Sequence, residues 1–158
     1  MSKNIGPYIT SRAGGSGSAV AAGTGDNTEV DGAWVDRRNT TAKDMFDSAK
    51  LVITYRTTLT AAKTLSFAVN IQDATDGSGT GADDYGTALA ATVVKTGALT
   101  DARDTLEFDF DLSGANQFVR AQVTPDLSHT SADTVDWQAV WVFGANKRVP
   151  VSKSAIAL

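Results

Sequence analysis

The residues able to do chemistry are few. The one histidine, His129, lies in Leu127-Ser-His-Thr-Ser-Ala-Asp133. Serine, histidine and aspartate are the parts of an acyl-transfer triad, but a triad needs them convergent in space with the acid orienting the base. Immediate neighbours along a chain do not meet that way, so the segment reads as a surface loop. Asp73 to Asp84 (DATDGSGTGADD) carries four aspartates and no base. A calcium loop wants oxygen ligands at alternating positions, glycine at the sixth place and a bidentate glutamate at the twelfth. Counted from Asp73, Ser78 holds the sixth place and Asp84 the twelfth; counted from Asp76, Gly81 fits but Thr87 ends the frame. Neither works, and the stretch reads as a solvated acidic loop open at most to an adventitious cation. Gly14-Gly-Ser-Gly-Ser-Ala-Val20 is glycine-rich like a phosphate cradle, yet Val20 stands where a dinucleotide fingerprint needs its third glycine. No catalytic set, cofactor site or metal site emerges.

The remaining candidates are recognition residues. Arg37-Arg38 and the tail residues Lys147, Arg148 and Lys153 are the basic clusters of an acidic chain. They are candidate contacts to a negatively charged partner, or ordinary solubilising charge. Trp34, Trp137 and Trp141 could stack on sugars. Trp137 and Trp141 share a face with Val135, Ala139 and Phe143, so packing in a core is the better reading for them. Trp34 sits in a loop-like setting and stays open as a stacking platform.

These side chains must be held by strands. Of 18 acids, 16 are Asp and 2 are Glu, and aspartate favours turns and caps over helix interiors. From Leu51 onward the hydrophobic period is two. Leu51, Ile53 and Tyr55 share one face, as do Leu65, Phe67, Val69 and Ile71, then Leu106, Phe108, Phe110 and Leu112, then Val119, Ala121 and Val123. Alternation of this kind marks half-buried strands of antiparallel sheets. The turn-rich separators are 57–64, 73–86, 96–105, 113–116 and 125–133, which predicts an antiparallel β-sandwich or barrel. Residues 40–50 could add a short helix or an irregular turn. Closing Ser113–Asn116 as a hairpin loop pairs Phe110 with Val119, Phe108 with Ala121 and Leu106 with Val123. It also sets Asp109 beside Arg120, a pair worth about 0.2–1 kcal/mol. Val140 and Val142 make the other face of the last strand apolar too, which predicts a central strand or a covered one.

Residues 1–33 differ. Ser11 to Gly25 (SRAGGSGSAVAAGTG) has few core-forming side chains and cannot offset its own ordering entropy. It is expected to be an extended arm, held by its own domain or, the preferred reading, by a neighbouring subunit, with 34–158 as the folded domain. Tyr8, Arg12 and Val20 are its candidate contact residues, beside Arg37, Arg38, Lys147 and Arg148. The whole chain has 158 residues, 14 Lys+Arg against 18 Asp+Glu, and a net charge of −4. That balance argues against a dedicated nucleic-acid binder, which works by neutralising phosphates. No cysteine is present, which excludes disulfides, thiolate metal sites and cysteine nucleophiles. No apolar run approaches the ~20 residues needed to cross a bilayer, and Met1–Pro7 lacks the apolar region of a secretory signal. The expectation is a protein made in a host cytoplasm and used there or in a particle released from it.

From Ser48 to Pro150 the chain resembles small auxiliary head proteins of long-tailed bacteriophages, the decoration or cement proteins. The likeness lies in the order of Ser48-Ala-Lys-Leu-Val-Ile, Lys63-Thr-Leu-Ser-Phe-Ala-Val-Asn-Ile-Gln-Asp and a Gly/Asp loop. Phe108-Asp-Phe-Asp-Leu-Ser-Gly-Ala, Phe118-Val-Arg-Ala-Gln-Val-Thr-Pro, Trp137 to Gly144 and Val149-Pro150 follow. The resemblance implies an all-β, antiparallel, jelly-roll-like β-sandwich and a non-enzymatic protein on the outer surface of a virion. Its partners would be the major capsid protein and its own copies, as trimers or dimers on a symmetry axis, with neither nucleic acid nor membrane involved. The alternatives are a tail or head–tail joining subunit, and a carbohydrate-binding β-sandwich with Trp34 as its platform.

Overall fold

The computed structural model describes residues 8–23, 26–38, 45–128 and 132–144. Ten strands run in chain order: β1 (Thr10–Ala21), β2 (Val30–Asp31), β3 (Val35–Asp36), β4 (Ser48–Leu59), β5 (Thr64–Ala74), β6 (Asp83–Asp84), β7 (Leu89–Thr96), β8 (Leu99–Asp111), β9 (Phe118–Leu127) and β10 (Thr134–Gly144). They form two antiparallel sheets. The first has the order β1-β10-β4-β8; the second places β9 beside β5, with the short β2 and β3 on β9 and β6 and β7 on β5.

The pairing obeys one rule. The broken strands β2/β3 and β6/β7 each occupy a single place, so ten strands fill eight places. The first place pairs with the last (β1–β10), the second with the seventh (β2/β3–β9), the third with the sixth (β4–β8) and the fourth with the fifth (β5–β6/β7). This is one long antiparallel ribbon, doubled back at β5–β6/β7. Rolling it up adds the β10–β4 and β5–β9 pairings. A rolled ribbon of this kind is a jelly roll, the antiparallel sandwich that the alternating pattern and the resemblance lead one to expect.

Period-two burial fills the space between the sheets. Leu51, Ile53 and Tyr55 of β4, Leu65, Phe67, Val69 and Ile71 of β5, Val119, Ala121 and Val123 of β9, and Val135, Trp137, Ala139, Trp141 and Phe143 of β10 are all buried. Phe46, Phe110, Trp141 and Phe143 make one aromatic cluster and Tyr55, Phe67 and Trp137 another, with ring centroids 5.5–6.5 Å apart. Such offset and edge contacts add stability beyond the area they bury. Val140 and Val142 sit on a central strand, between β1 and β4.

Three expectations are corrected. The proposed β8–β9 hairpin does not form: β8 pairs with β4, and β9 pairs with β5, β2 and β3. In a rolled ribbon the segment 112–117 crosses from one sheet to the other. Leu106, Phe108 and Phe110 therefore line the same core as Val119, Ala121 and Val123 from the opposite side. Asp109 accordingly meets Lys50 at 3.0 Å, and Arg120 meets Asp31 at 2.8 Å. The division at residue 33/34 is not a boundary, because residues 10–21 are an edge strand of the chain's own first sheet. Glycines make this possible: a side chain on Gly17 would collide with the Trp137 indole, and one on Gly32 with the Gly14 carbonyl. Low hydrophobicity marked close backbone approach there. Finally, 96–105 is mostly strand β8, and residues 48–50 open β4 while Met45 bridges to Arg38. Residues 40–44, read as a helix or turn, lie outside the described residues.

Candidate interaction surface

The contact residues expected from the sequence part company in the structure. Arg37 is 2% exposed and is a structural residue. Its Nε donates to the Asn116 carbonyl at 2.7 Å. Its Nη1 donates to the carbonyls of Phe46 at 2.7 Å and Leu112 at 2.6 Å, and its Nη2 to that of Ala115. The guanidinium thus ties the sheet-crossing loop 112–116 to β3 and to the start of β4. Burial pulls its pKa down, against the pull of Asp47, Tyr85 and Asp73 upward. A polar arginine was expected at the surface; five donors in a planar fork suit it equally to a knot of loop carbonyls. Val20 is half-buried against the core. Tyr8 is 48% exposed beside exposed Ile9. Lys147, Arg148 and His129 lie outside the described residues.

Arg12 and Arg38 do come together. With Ala13, Ala33, Trp34, Val35 and Asp36 they line a groove of about 320 Å³ between β1 and the β2–β3 segment. Arg38 is held by Asp36 at 2.6 Å. Burial pushes the Asp36 carboxyl up, but hydrogen bonds and charge from Arg38 outweigh it and hold the group below the usual carboxylate range. Arg12 donates to the Thr10 hydroxyl at 2.7 Å and the Ser11 carbonyl at 2.8 Å. Among the described residues it has no carboxylate partner, so its charge faces the groove.

Trp34 is half-buried, and one side of its ring is taken by the Arg120 guanidinium, 4.7 Å from the centroid. Gly79 packs so closely that a Cβ there would stand 2.7 Å from the indole nitrogen. A sugar would have to displace a cation–π contact to stack on that face. Arg120 itself belongs to a closed circuit of side chains on the outer face of the second sheet. It donates to Gln72 at 2.7 Å and pairs with Asp31 at 2.8 Å. Gln122 donates to Asp31 and accepts from Asn70, while Asn70 and Gln72 both donate to Asp84. These donations hold the Asp84 carboxyl down. The sequence showed a polar face at Asn70, Gln72, Arg120 and Gln122, but only the β5–β9 pairing brings those residues side by side.

The acidic loop is likewise occupied with itself. Asp73 turns inward to accept the Asn116 amide at 2.6 Å, and Asp76 caps its own turn through the Ser78 and Thr80 amides. Among the described residues no three acidic or histidine side chains converge as metal ligands would. A surface depression of about 910 Å³ lies across the outer face of the first sheet. Its charges are paired internally, Arg56 with Asp136 at 2.7 Å and Arg103 with Asp101 at 3.1 Å. No helix among the described residues is long and apolar enough to cross a membrane.

These strand pairings define the class: a jelly-roll β-sandwich with a groove along one edge. No family model matches the chain, and no curated protein matches it. Among solved structures it is similar to the infectious bursal disease virus Gx strain structure, at 9% identity and a TM-score of 0.44. That match covers 92% of this chain and 34% of the other. It is similar to the infectious bursal disease virus VP2 subviral particle at 9% identity and a TM-score of 0.44, covering 89% and 33%. Against turnip yellow mosaic virus the values are 10% identity, a TM-score of 0.33, and coverage of 94% and 86%. The chain thus spans about a third of the length of the two bursal-virus chains.

Proposed function

We propose that the chain is a non-enzymatic structural protein of a virus particle that binds the outside of an assembled phage head and bridges its capsomers. The observation that carries this reading is the form of the surface. It offers two long sheet edges and a shallow arginine-bearing groove, where an enzyme of this size concentrates convergent polar groups in a cleft. The resemblance of 48–150 to decoration proteins points the same way. A jelly roll is shared by capsid proteins, lectins and cupins, so the fold by itself is an analogy only.

In this reading the major capsid protein is the partner, and the Arg38 end of the groove takes its acidic side chains. Copies gather on a symmetry axis. Binding the assembled lattice and not its separated parts stabilises the lattice by mass action, and many weak contacts act together. The test is to mix purified protein with expanded, undecorated shells, sediment them and melt them. Co-sedimentation with a rise in shell melting temperature is the expected result, weakened by Arg38→Glu. Protein left in the supernatant sinks the reading. Copy number separates the outer shell, with hundreds per particle, from a tail or neck position, with about three to twelve.

A further inference from the structure

The first sheet ends in two strands of opposite character. β1 and β8 are its outer strands, of 12 and 13 residues, and among the described residues neither is paired on its far side. β1 carries Arg12 and no acid. β8 carries Asp101, Asp104, Glu107, Asp109 and Asp111 against the single base Arg103. Part of that charge is met within the chain, but Glu107 and Asp109 share one lysine, Lys50, and Asp109 remains 82% exposed. The inward row of β8 is also incompletely covered: Leu106, Phe108 and Phe110 are only partly buried, unlike their counterparts on β4 and β10. Open edges are templates for pairing with another chain.

We propose that copies of this protein associate head to tail through these edges, β8 of one copy lying along β1 of the next. Direction permits it. β1–β10, β10–β4 and β4–β8 are all antiparallel, so β1 and β8 run oppositely and a second copy in the same orientation extends the sheet antiparallel. Charge selects it. β8 against β8 would set two acidic strands side by side, and β1 against β1 would face arginine with arginine, whereas β1 against β8 matches opposite signs. The contact engages two different surfaces, so it excludes a two-fold dimer, and closure about a symmetry axis makes it a ring. Bulges at Ala13/Gly15 and Gly17/Val20 confine regular pairing to the start of β1, around Arg12. This deepens the oligomer part of the proposed function and stands apart from shell binding.

The test is sedimentation velocity of the full chain with no shell present, in low and high salt. Wild type is expected to form one closed oligomer that weakens as salt rises. Arg12→Glu, and separately Glu107→Lys with Asp109→Lys, should each weaken association by roughly tenfold or more, at melting temperatures showing the fold intact. Combining all three changes in one chain should restore the oligomer. A monomeric wild type, association indifferent to both charge reversals, or a triple variant as defective as its parents would each overturn the proposal. Failure to bind shells with the oligomer intact would count against the shell reading alone.

Discussion

Arg37 and Arg38 are adjacent and do opposite things. Arg38 lies at the surface against Asp36, and a pair so exposed contributes little. Arg37 supplies donors to four buried-loop carbonyls. Arg37→Met keeps the aliphatic stem but strands those acceptors, and is expected to cost about 3–5 kcal/mol. Arg38→Met should leave stability close to unchanged. Urea denaturation of both variants checks the contrast, and equal midpoints would refute it. Nothing in the pair's sequence separates the two roles, because burial here depends on a loop some 75 residues away. Asp136 makes a pH-dependent link. Its carboxylate accepts the Ala19 amide at 2.6 Å and then the Arg56 guanidinium at 2.7 Å, and both hold it below the usual carboxylate range. A depressed folded pKa contributes stability above the unfolded value, near pH 4, that is lost as pH falls through the folded value. Melting temperature is therefore expected to drop below about pH 4, with a shallower drop in Asp136→Asn. Parallel slopes in thermal melts would remove Asp136 from that account.

Among the elements, β1 is held by backbone geometry where most strands are held by side chains. Gly14 and Gly32 touch across the two sheets, and the Gly32 amide donates to the Ala121 carbonyl at 2.8 Å. Gly32→Ala would drive a methyl into the Gly14 carbonyl and is expected to cost about 2 kcal/mol or more. Gly144→Ala, which meets only a backbone oxygen at 4.0 Å, should be close to neutral; thermal melts compare them. The strands from Leu51 to Phe143 were legible because each alternates, and alternation reports which side chains face inward. It does not report which strand lies alongside. Phe110 and Val119 were correctly placed in one core yet assigned to one sheet, since a hairpin and a crossing between sheets bury the same residues. β1 was illegible for a related reason: glycine and serine mark a flexible segment and a tightly apposed one with the same letters. The groove was half legible, Arg12 and Arg38 being named without the contact that joins them.

Over the whole molecule, stability is unevenly distributed. β4, β5, β9 and β10 hold almost all the buried side chains, while β7 and the first half of β8 are largely exposed, with Val93 at 57%. Amide hydrogen exchange is expected to protect β4, β5, β9 and β10 most and to release β7 first. Uniform protection across β7 and β10 would contradict that division. The ribbon pairing carries a further consequence for biosynthesis. β1 lies beside β10, whose residues enter more than a hundred positions later, and β4 also waits for β10 on one side and β8 on the other. A nascent chain emerging from the ribosome can close β5 with β7 early, but β1 has no partner until β10 has emerged behind it. Assembly is then slowed by the cost of bringing distant segments together, and until β10 arrives the exposed glycine-rich β1 is a target for chaperones and proteases alike.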